Sequence, residues 1–436
     1  MVFADYTHLN QLGQGTFGSV IKARHVNSGK LVALKKFIVH DNKEGFPITA
    51  FREITIMKKL YNLNILQIIE VVHHDGSFFT VTPYINSDLN GLLHNPRIKL
   101  TLPQIKNIMN QLLQGVDYIH QMGYLHRDIK SANILLDAFG IVKVADFGLA
   151  RVYHGERPTQ ISSPPGGGKV EYTGLVVTRW YRPPELLLGD KKYTTSVDMW
   201  GVGCVLGELF KKRPILEGES DLHQADLIFQ LLGSATLENF PNCHMINRNK
   251  VNLKTNYSNT IKDKFSDAEM GVGGVELLSQ LLILNPLTRI NAKGALNSNW
   301  FNNNPRQCLN KELMGLEESH ESDVGNYKRQ HKHEMTEHAP IPPPPPQQVE
   351  WMKREVSNNN SAYLNPYSYS NSNDSYYPGD SYHPPDLTQP PWHNNEAKRK
   401  RGWEVDYKKR SKIKSSDFYG SKKSSLGPLS SLRHSK

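Results

Sequence analysis

The stretches HRDIKSAN, at residues 126–133, and ADFG, at residues 145–148, decide how this sequence folds. Four chemistry-bearing side chains fall within them: Asp128, Lys130, Asn133 and Asp146. They provide a carboxylate that can accept a hydroxyl proton, an ammonium that can neutralise a phosphoryl group, and two hard oxygen ligands for Mg2+. Each would be unremarkable alone on a surface, but this combination at this spacing rarely arises by chance. The spacing therefore predicts a site for phosphoryl transfer.

A glycine-rich stretch, GQGTFGSV at residues 13–20, has the spacing G-x-G-x-x-G-x-V between two strand-like runs. Glycine allows backbone N–H groups to close over phosphate oxygens where a Cβ atom would obstruct them. Alone, such a stretch is as often a structural turn, and its place between two strands argues against a dinucleotide-binding βαβ unit. We expect nucleotide contacts from this stretch and the residue before it: Leu12, Gly13, Gln14, Gly15, Thr16, Phe17, Gly18, Ser19 and Val20.

A lysine lies inside the apolar run VALK at residues 32–35, where a solvated side chain is the plain alternative. The helical stretch PITAFRE at residues 47–53 supplies a counterpart in Glu53. Because a buried ammonium group is costly unless it is paired, we expect Lys35 and Glu53 to form an ion pair. Such a pair would direct the ammonium group at the α and β phosphates of a nucleotide.

The apolar periodicity changes along the chain and predicts two lobes. Runs rich in β-branched and aromatic residues, separated by turn signals, indicate an antiparallel sheet that one helical pattern at residues 47–60 interrupts. Residues 105–119 instead follow the i, i+3, i+4, i+7 spacing of a long amphipathic helix. We therefore expect an α+β fold, with a small β lobe at residues 1–93 and a larger α lobe at residues 94–304.

The composition changes again after residue 304. Residues 305–436 are rich in Asn, Ser, Tyr, His and Pro, and such a sequence cannot bury enough apolar area to offset its ordering entropy. We predict a disordered tail. Residues 305–396 carry 7 Lys and Arg against 13 Asp and Glu, whereas residues 397–436 carry 13 against 3. The net charge of +10 is therefore concentrated in the last basic segment.

Three cysteines, Cys204, Cys243 and Cys308, are an odd number at unrelated spacings, which excludes a disulfide framework and a four-cysteine zinc site. No apolar run reaches the 18 or so residues of a membrane helix, and the first residues lack the pattern of a secretion signal. We expect an intracellular chain that does not enter a membrane.

Between residues 6 and 301 the chain resembles eukaryotic protein kinases, and PPE at residues 183–185 and DMWG at residues 198–201 extend the resemblance. The resemblance implies two lobes with ATP bound in the cleft between them. It also implies transfer of the γ-phosphoryl group of MgATP to a serine or threonine hydroxyl.

The resemblance assigns a role to each residue singled out above. It implies that four residues take part in catalysis: Asp128 as base or orienting group, Lys130, Lys35 and Glu53. It implies that Mg2+ is held by Asn133 and Asp146. The hinge between the lobes would offer adenine the carbonyl group of Pro83 and the N–H group of Ile85, because proline itself has no N–H group.

The helical stretch PITAFRE differs at one position from the PITALRE sequence of transcriptional cyclin-dependent kinases, which belong to the CMGC group of serine/threonine kinases. WYRPPELLLG at residues 180–189 extends the match. The chain is similar to the elongation-type kinases that phosphorylate the C-terminal repeats of RNA polymerase II, and it resembles the fungal Bur-type branch. The resemblance implies that the chain promotes transcription elongation.

The same helix suggests a partner. Its apolar residues Ile48, Phe51, Ile54 and Met57 offer more surface than one small sheet needs to cover. A wholly intramolecular core is one explanation. The resemblance favours a second, in which a cyclin docks on the exposed side and pushes Glu53 towards Lys35.

Thr173, in the sequence EYTG, stands at the activating phosphothreonine position of related kinases. Three arginines from the helix, the HRD stretch and the segment after DFG would converge on the phosphate: Arg52, Arg127 and Arg151. We expect these four residues to be regulatory.

The basic segment at residues 397–436 contains KRKR and KKRSKIK six residues apart, which is the form of a two-part nuclear import signal. A solvated charge run is the alternative. With a polymerase substrate, an import receptor as partner and a nuclear location become the better interpretation. The aromatic residues beside this segment would also allow it to contact RNA weakly, or to bind phosphorylated repeats.

Two other functions stay open. One is a different Ser-Pro-directed CMGC kinase with other substrates, for which Arg179 gives slight support. The other is a catalytically silent scaffold, but scaffolds typically lose the residues that correspond to Lys35, Asp128 or Asp146, and all three are present.

Overall fold

The computed structural model describes residues 3–15, 18–37, 48–158, 160–161, 168–174, 176–241, 256–327 and 329. All of them belong to the first of two units, Met1–Pro345. The second unit, Pro346–Lys436, lies outside the described residues, and with it the basic segment.

Five antiparallel strands form the sheet of the smaller lobe, in the spatial order β1-β2-β3-β5-β4. They are β1 (Tyr6–Gly15), β2 (Gly18–His25), β3 (Leu31–Phe37), β4 (Glu70–His74) and β5 (Ser77–Pro83). Their β-branched and aromatic side chains suit a pleated surface. One face of the sheet buries a small apolar core, which includes Ala23, Val32, Leu34, Phe79 and Val81. Helix α1 (Ile48–Lys59) packs against the short helical turn Phe147–Leu149.

Helices make up most of the larger lobe. They are α2 (Leu89–His94), α3 (Leu102–Gln121), α4 (Pro184–Leu187), α5 (Ser196–Lys211), α6 (Asp221–Leu232), α7 (Ile261–Lys264), α8 (Asp267–Met270), α9 (Gly274–Leu281), α10 (Ala292–Leu296) and α11 (Asn299–Asn302). Helix α3 begins where the side chain of Gln104 accepts a hydrogen bond from the backbone N–H of Thr101, at 2.9 Å. Helix α5 is buried along almost its whole length, so it lies at the centre of the lobe.

Short strands place the two motif loops side by side. Strands β6 (Ser87–Asp88), β8 (Ile134–Leu136) and β9 (Val142–Val144) form a small sheet, and the β8–β9 hairpin joins the HRD loop to the DFG loop. Strands β7 (Tyr124–Leu125) and β10 (Arg151–Val152) pair just outside the two loops. Pairing on both sides therefore fixes the loops relative to each other.

The expected two-lobed α+β architecture is confirmed, and the helical patterns at residues 47–60 and 105–119 correspond to α1 and α3. The buried face of α1 differs from the three-residue spacing of its apolar side chains. Its buried residues are Ala50, Glu53, Ile56 and Met57. Ile48 and Phe51 are instead 72% and 63% exposed.

The predicted tail needs a correction at its start, because residues 305–327 pack on the larger lobe. The side chain of Asn107 donates hydrogen bonds to the Cys308 carbonyl at 2.6 Å and to the Asn310 side chain at 3.0 Å. Leu313 is buried in the main apolar core. Amide and carbonyl groups far apart in sequence hold this segment, and composition does not reveal such pairs. The remainder of the predicted tail, residues 328 and 330–436, lies outside the described residues.

Within the described part of the chain, no helix has both the length and the apolar character needed to cross a membrane.

A chain that ends at residue 304 is expected to have a thermal unfolding midpoint several degrees below that of a chain that ends at residue 329. The shorter chain leaves the buried side chains of Asn107 and Gln111 without their tail partners, and each unsatisfied buried polar group costs about 1–3 kcal/mol. Differential scanning calorimetry of both chains measures the difference. Equal midpoints would show that the packing of residues 305–327 adds no stability.

Candidate active site

Lys35 lies between two carboxylates at the junction of the lobes. Its Nζ atom is 2.8 Å from Oε1 of Glu53 and 2.7 Å from Oδ1 of Asp146. Burial by itself would lower the pKa of Lys35, but the two carboxylates outweigh it and raise that pKa above its ordinary value. Burial opposes ionisation of Asp146 as well, yet Lys35 holds the pKa of that carboxyl at about 2. All three side chains therefore meet in one ionic cluster.

Regular structure brings these three groups together. Lys35 is in the middle of β3, paired with Val20 of β2 and Thr80 of β5, so its side chain has a fixed direction. Glu53 comes from the buried face of α1. Asp146 has a left-handed backbone conformation with φ of 62°, which reverses the chain between β9 and the next helical turn.

Asp128 is surrounded by donors. Its Oδ1 atom accepts a hydrogen bond from the Thr178 hydroxyl at 2.8 Å, and its Oδ2 atom accepts one from the Asn133 side chain at 2.9 Å. The Nζ atom of Lys130 lies 2.9 Å from Oδ2 of Asp128 and 3.2 Å from the Thr178 hydroxyl. The carboxylate of Asp128, the ammonium group of Lys130 and the Thr178 hydroxyl are therefore in mutual contact.

The buried helix α5 holds the loop that carries Asp128. The carboxylate of Asp198, at the start of that helix, accepts hydrogen bonds from the backbone N–H groups of His126 at 2.9 Å and Arg127 at 2.7 Å. Oδ2 of Asp198 is also 2.9 Å from Nε2 of His120. Burial would raise the pKa of Asp198, but these partners lower it, so the group is an anion. The sequence had singled out Asp198 only as part of the DMWG stretch that extends the kinase resemblance.

The predicted metal ligands fit Mg2+. Asn133 and Asp146 line the same cleft, and Asp146 is ionised. The amide nitrogen of Asn133 donates to the backbone and side chain of Asp128, so the amide oxygen is not engaged in those bonds. One anionic and one neutral oxygen ligand suit this ion, which keeps water and phosphate oxygens as its other ligands.

The same cleft contains most of the predicted nucleotide contacts that the structure describes in full. Those that line it are Leu12, Gly13, Val20, Lys35, Pro83 and Ile85. Gly18 and Ser19 are in β2 but do not line the cleft. Of Gln14 and Gly15 only the backbone is described, and Thr16 and Phe17 lie outside the described residues. Gly18 has a structural reason to be glycine, since a Cβ atom there would be 1.7 Å from the backbone oxygen of Lys36.

Sequence reasoning missed a C-terminal strap, residues 317–321, which crosses the hinge. Glu318 forms a salt bridge with Lys22 of β2 at 2.8 Å and a short hydrogen bond with the hydroxyl of Tyr84. That hydroxyl is also 2.8 Å from Nε2 of His320. The backbone N–H of Glu321 donates to Asp88 at 2.7 Å. The side chain of Asn95, just after α2, donates to the Ser319 hydroxyl at 2.9 Å, so the strap contacts both lobes.

The strap also reaches the nucleotide cleft, because the side chains of His320 and Glu321 line it together with Asp88. Gly91 makes room for the strap, since a Cβ atom there would lie 2.5 Å from the backbone of Ser319 and His320. These contacts join residues more than 220 positions apart, so no local pattern in the sequence predicts them.

Three arginines form a cationic cluster beside Thr173. Arg52, Arg151 and Thr173 line one depression. Burial and the nearby charges of Arg127 and Arg52 lower the pKa of Arg151 to about 10. Among the described residues, Nη2 of Arg127 is buried and has no hydrogen-bond partner. The hydroxyl of Tyr193 joins Arg127 at 2.6 Å to the backbone oxygen of Thr173 at 2.9 Å.

The fold and site define a class of protein. A β lobe that supplies a paired lysine, a helical lobe that supplies Asp128 and two oxygen ligands, and a cleft between them are the architecture of a protein kinase. The chain belongs to the protein kinase domain family, whose match covers residues 6–301.

Known relatives show which protein kinases this chain is similar to. The chain is 51% identical over 354 residues to the Bur-type serine/threonine-protein kinase of Debaryomyces hansenii, covering 78% of this chain and 58% of the relative. It is 44% identical over 352 residues to the Bur-type kinase of Saccharomyces cerevisiae, covering 78% and 53%. It is 44% identical over 336 residues to the probable cyclin-dependent kinase 9 of Schizosaccharomyces pombe, covering 75% and 56%. The chain thus spans little more than half the length of these relatives.

A solved structure is also similar. A chain of the yeast RNA Pol II CTD kinase CTDK-1 complex matches with a TM-score of 0.61 and 35% sequence identity, over 71% of this chain and 96% of that one. The similarity to Bur-type and CTD kinases expected from the PITAFRE and WYRPPE stretches is confirmed.

A chain that ends at Leu316 is expected to bind ATP several-fold more weakly than a chain that ends at Arg329. The shorter chain keeps the packed residues 305–313 and loses only the strap and the few residues after it. Isothermal titration calorimetry with MgATP gives the two dissociation constants. Circular dichroism checks that the shorter chain is folded, because its midpoint should fall when the buried Asn95 side chain loses Ser319. Equal affinities would mean that His320 and Glu321 do not contribute to nucleotide binding.

Proposed function

We propose that this chain is a serine/threonine protein kinase that transfers the γ-phosphoryl group of MgATP to the C-terminal repeats of RNA polymerase II and promotes transcription elongation. One observation carries the enzymatic part. Lys35 and Asp146, from the two lobes, line a single cleft together with Asn133, and the side chain of Asn133 donates to the carboxylate of Asp128. An ammonium, an ionised oxygen ligand and a hydroxyl acceptor therefore lie next to one another.

The residues of the cleft suit each requirement of phosphoryl transfer. Lys35, held by Glu53, would bind the α and β phosphates. Asp128 would orient the substrate hydroxyl and receive its proton, and Lys130 would neutralise the transferred group. Asn133 and Asp146 would hold Mg2+, which when bound neutralises phosphate charge. A catalytically silent scaffold does not need this complete set, so we favour the enzyme.

The structure supports a partner on helix α1. Ile48 and Phe51, two large apolar side chains, are mostly exposed on the side of the helix next to the arginine cluster. An exposed apolar pair beside polar residues is typical of a protein interface. The Lys35–Glu53 pair is already formed in this single chain. The inference of a partner therefore rests on the exposed apolar side of α1 and not on that pair. We propose that the partner is a cyclin, in keeping with the cyclin-dependent kinase among the relatives.

The geometry beside Asp128 favours proline after the target residue. Val177, next to Thr178, has a positive φ of 72°. Arg182 binds the backbone oxygen atoms of Val176 and Val177, each at 2.9 Å. The peptide residue that follows the target serine or threonine would find no free carbonyl here for its N–H group. Proline has no N–H group, so it leaves nothing unsatisfied. Leaving an N–H unsatisfied costs about 1–3 kcal/mol, so Ser-Pro sites are preferred.

The names of the relatives guide the choice among Ser-Pro substrates. The similar solved structure is of an RNA polymerase II CTD kinase complex, and we propose the same substrate here. Another Ser-Pro-directed kinase of the CMGC group is the second candidate, because the proline preference does not depend on the polymerase. Arg179, which contributed to that alternative, is 3.1 Å from Asp221, so its charge is paired.

The substrate implies a nuclear location. The basic segment at residues 397–436, which lies outside the described residues, is proposed to bind an import receptor. Weak contact with RNA is a further proposal for the same segment.

The complex of the chain with its co-purified cyclin is expected to phosphorylate a polymerase repeat peptide, and Asp128→Asn is expected to lower kcat about 100-fold or more, since general base catalysis typically contributes 10²–10⁴-fold. A repeat peptide with alanine in place of each proline serves as the matched substrate and should react about 10-fold or more slowly. Radiolabelled phosphate transfer measures both. Efficient phosphorylation of unrelated Ser-Pro peptides but not of the repeat would favour the second candidate.

Thr173→Ala is expected to lower kcat/KM at least 10-fold, because the arginine cluster would lose the phosphate that neutralises it. Thr288→Ala, which also removes an exposed threonine hydroxyl, is the control and should change little. Kinetics with the co-purified complex, together with mass spectrometry of residue 173, test this role. Full activity of Thr173→Ala would exclude it.

A further inference from the structure

Three oxygen-bearing side chains meet beneath the phosphoacceptor site. The Ser131 hydroxyl is 2.9 Å from Oε1 of Glu208, the Tyr181 hydroxyl is 2.7 Å from Oε2 of Glu208, and the two hydroxyls are 3.1 Å apart. Each of the three groups therefore contacts the other two. The contacts form a closed ring, which we call the hydroxyl–carboxyl ring.

The number of hydrogens in this ring fixes the charge of Glu208. Three oxygen–oxygen contacts at hydrogen-bond distance need three hydrogens. Ser131 and Tyr181 supply one each, and an ionised carboxylate supplies none. With Glu208 ionised, both hydroxyls would donate to it, and their own contact would join two oxygens without a hydrogen. A protonated Glu208 adds the third hydrogen, so that each group donates once and accepts once.

The surroundings of Glu208 agree with the neutral form. Glu208 lies near the end of the buried helix α5 and is fully shielded from solvent. Burial, and to a smaller extent the charge of Glu217, raise its pKa to about 7 against the opposing effect of the bonds from Tyr181 and Ser131. The Cys204 thiol, one turn earlier on α5, has a raised pKa and stays neutral. None of these neighbouring groups is a cation, so none of them would favour an ionised Glu208.

The ring joins the two segments that form the phosphoacceptor site. Ser131 follows Lys130 directly in the catalytic loop. Tyr181 is three residues after Thr178, whose hydroxyl binds Asp128. We propose that protonated Glu208 is a positioning residue, which closes this ring and thereby sets the distance between the catalytic loop and the segment that carries Thr178. Ser131 and Tyr181 are positioning residues for the same reason, and none of the three touches the reacting atoms.

The protonation of Glu208 has a consequence for stability that does not depend on catalysis. A carboxyl group whose pKa is higher in the folded chain than in the unfolded chain binds more protons when folded. The stability that it contributes is present in full below pH of about 4.5 and is lost as the pH rises through about 7. Glutamine at this position also donates one bond and accepts another, but it does not titrate.

Thermal unfolding of the full chain from pH 5 to pH 8.5 tests this. The midpoint of Glu208→Gln minus that of the unchanged chain is expected to rise by several degrees between pH 5 and pH 8.5. Glu276→Gln, at an exposed glutamate of α9, is the matched control and should give a flat difference. A flat or falling difference for Glu208→Gln, or a variant that does not fold, would show that the carboxylate is ionised and overturn the proposal.

The positioning role rests on the proposed phosphoryl transfer and is tested separately. Ser131→Ala is expected to lower kcat about 10-fold with the KM for ATP unchanged, and Ser131→Thr, which keeps the hydroxyl, is expected to recover most of the loss. Steady-state kinetics of the co-purified complex measure both variants. An unchanged kcat in Ser131→Ala, or no recovery in Ser131→Thr, would overturn the role. If the unchanged complex transfers no phosphate, the proposed function fails, while the unfolding experiment still tests the ring.

Discussion

Lys35 is a largely buried cation, 19% exposed, that two carboxylates from different parts of the chain neutralise. An ammonium group removed from water is costly unless it is paired, so the positions of β3, α1 and the DFG loop depend on one another. Glu53 fixes the rotation of α1, and that rotation leaves Ile48 and Phe51 outside. The same contact that orders the cleft thus determines which apolar side chains of α1 stay exposed.

The larger lobe depends in a similar way on the buried helix α5. Its first turn carries Asp198, an anion that holds the backbone of the catalytic loop, and its last turns carry Glu208. Glu185, in the PPE stretch, pairs with the buried Arg289 at 2.8 Å and is anchored to the same helix, because Arg289 also donates to the backbone oxygen of Ser196 at 2.8 Å. The active-site loops are thus set on a rigid support by polar contacts.

Much of this could be predicted from the sequence, because the signals were local. The spacing of the two motif stretches identified the residues of the cleft, and apolar periodicity identified α1 and α3. The strap could not be predicted, because its contacts are single polar pairs across more than 220 residues in a stretch of polar composition. An exposed apolar side of α1 was expected, but the sequence did not show that Ile48 and Phe51 would form it while Met57 is buried. The rotation of the helix is set by the ion pair between Lys35 and Glu53, and the spacing of its apolar residues matters less.

The strap has a consequence for selective inhibition. A compound that occupies the adenine region and extends past the hinge would meet the imidazole of His320 and the carboxylate of Glu321, which follow the matched kinase domain in the chain. A basic group on that extension would gain a charged partner at the mouth of the cleft. Selectivity among otherwise similar adenine pockets could thus come from residues outside the catalytic domain itself.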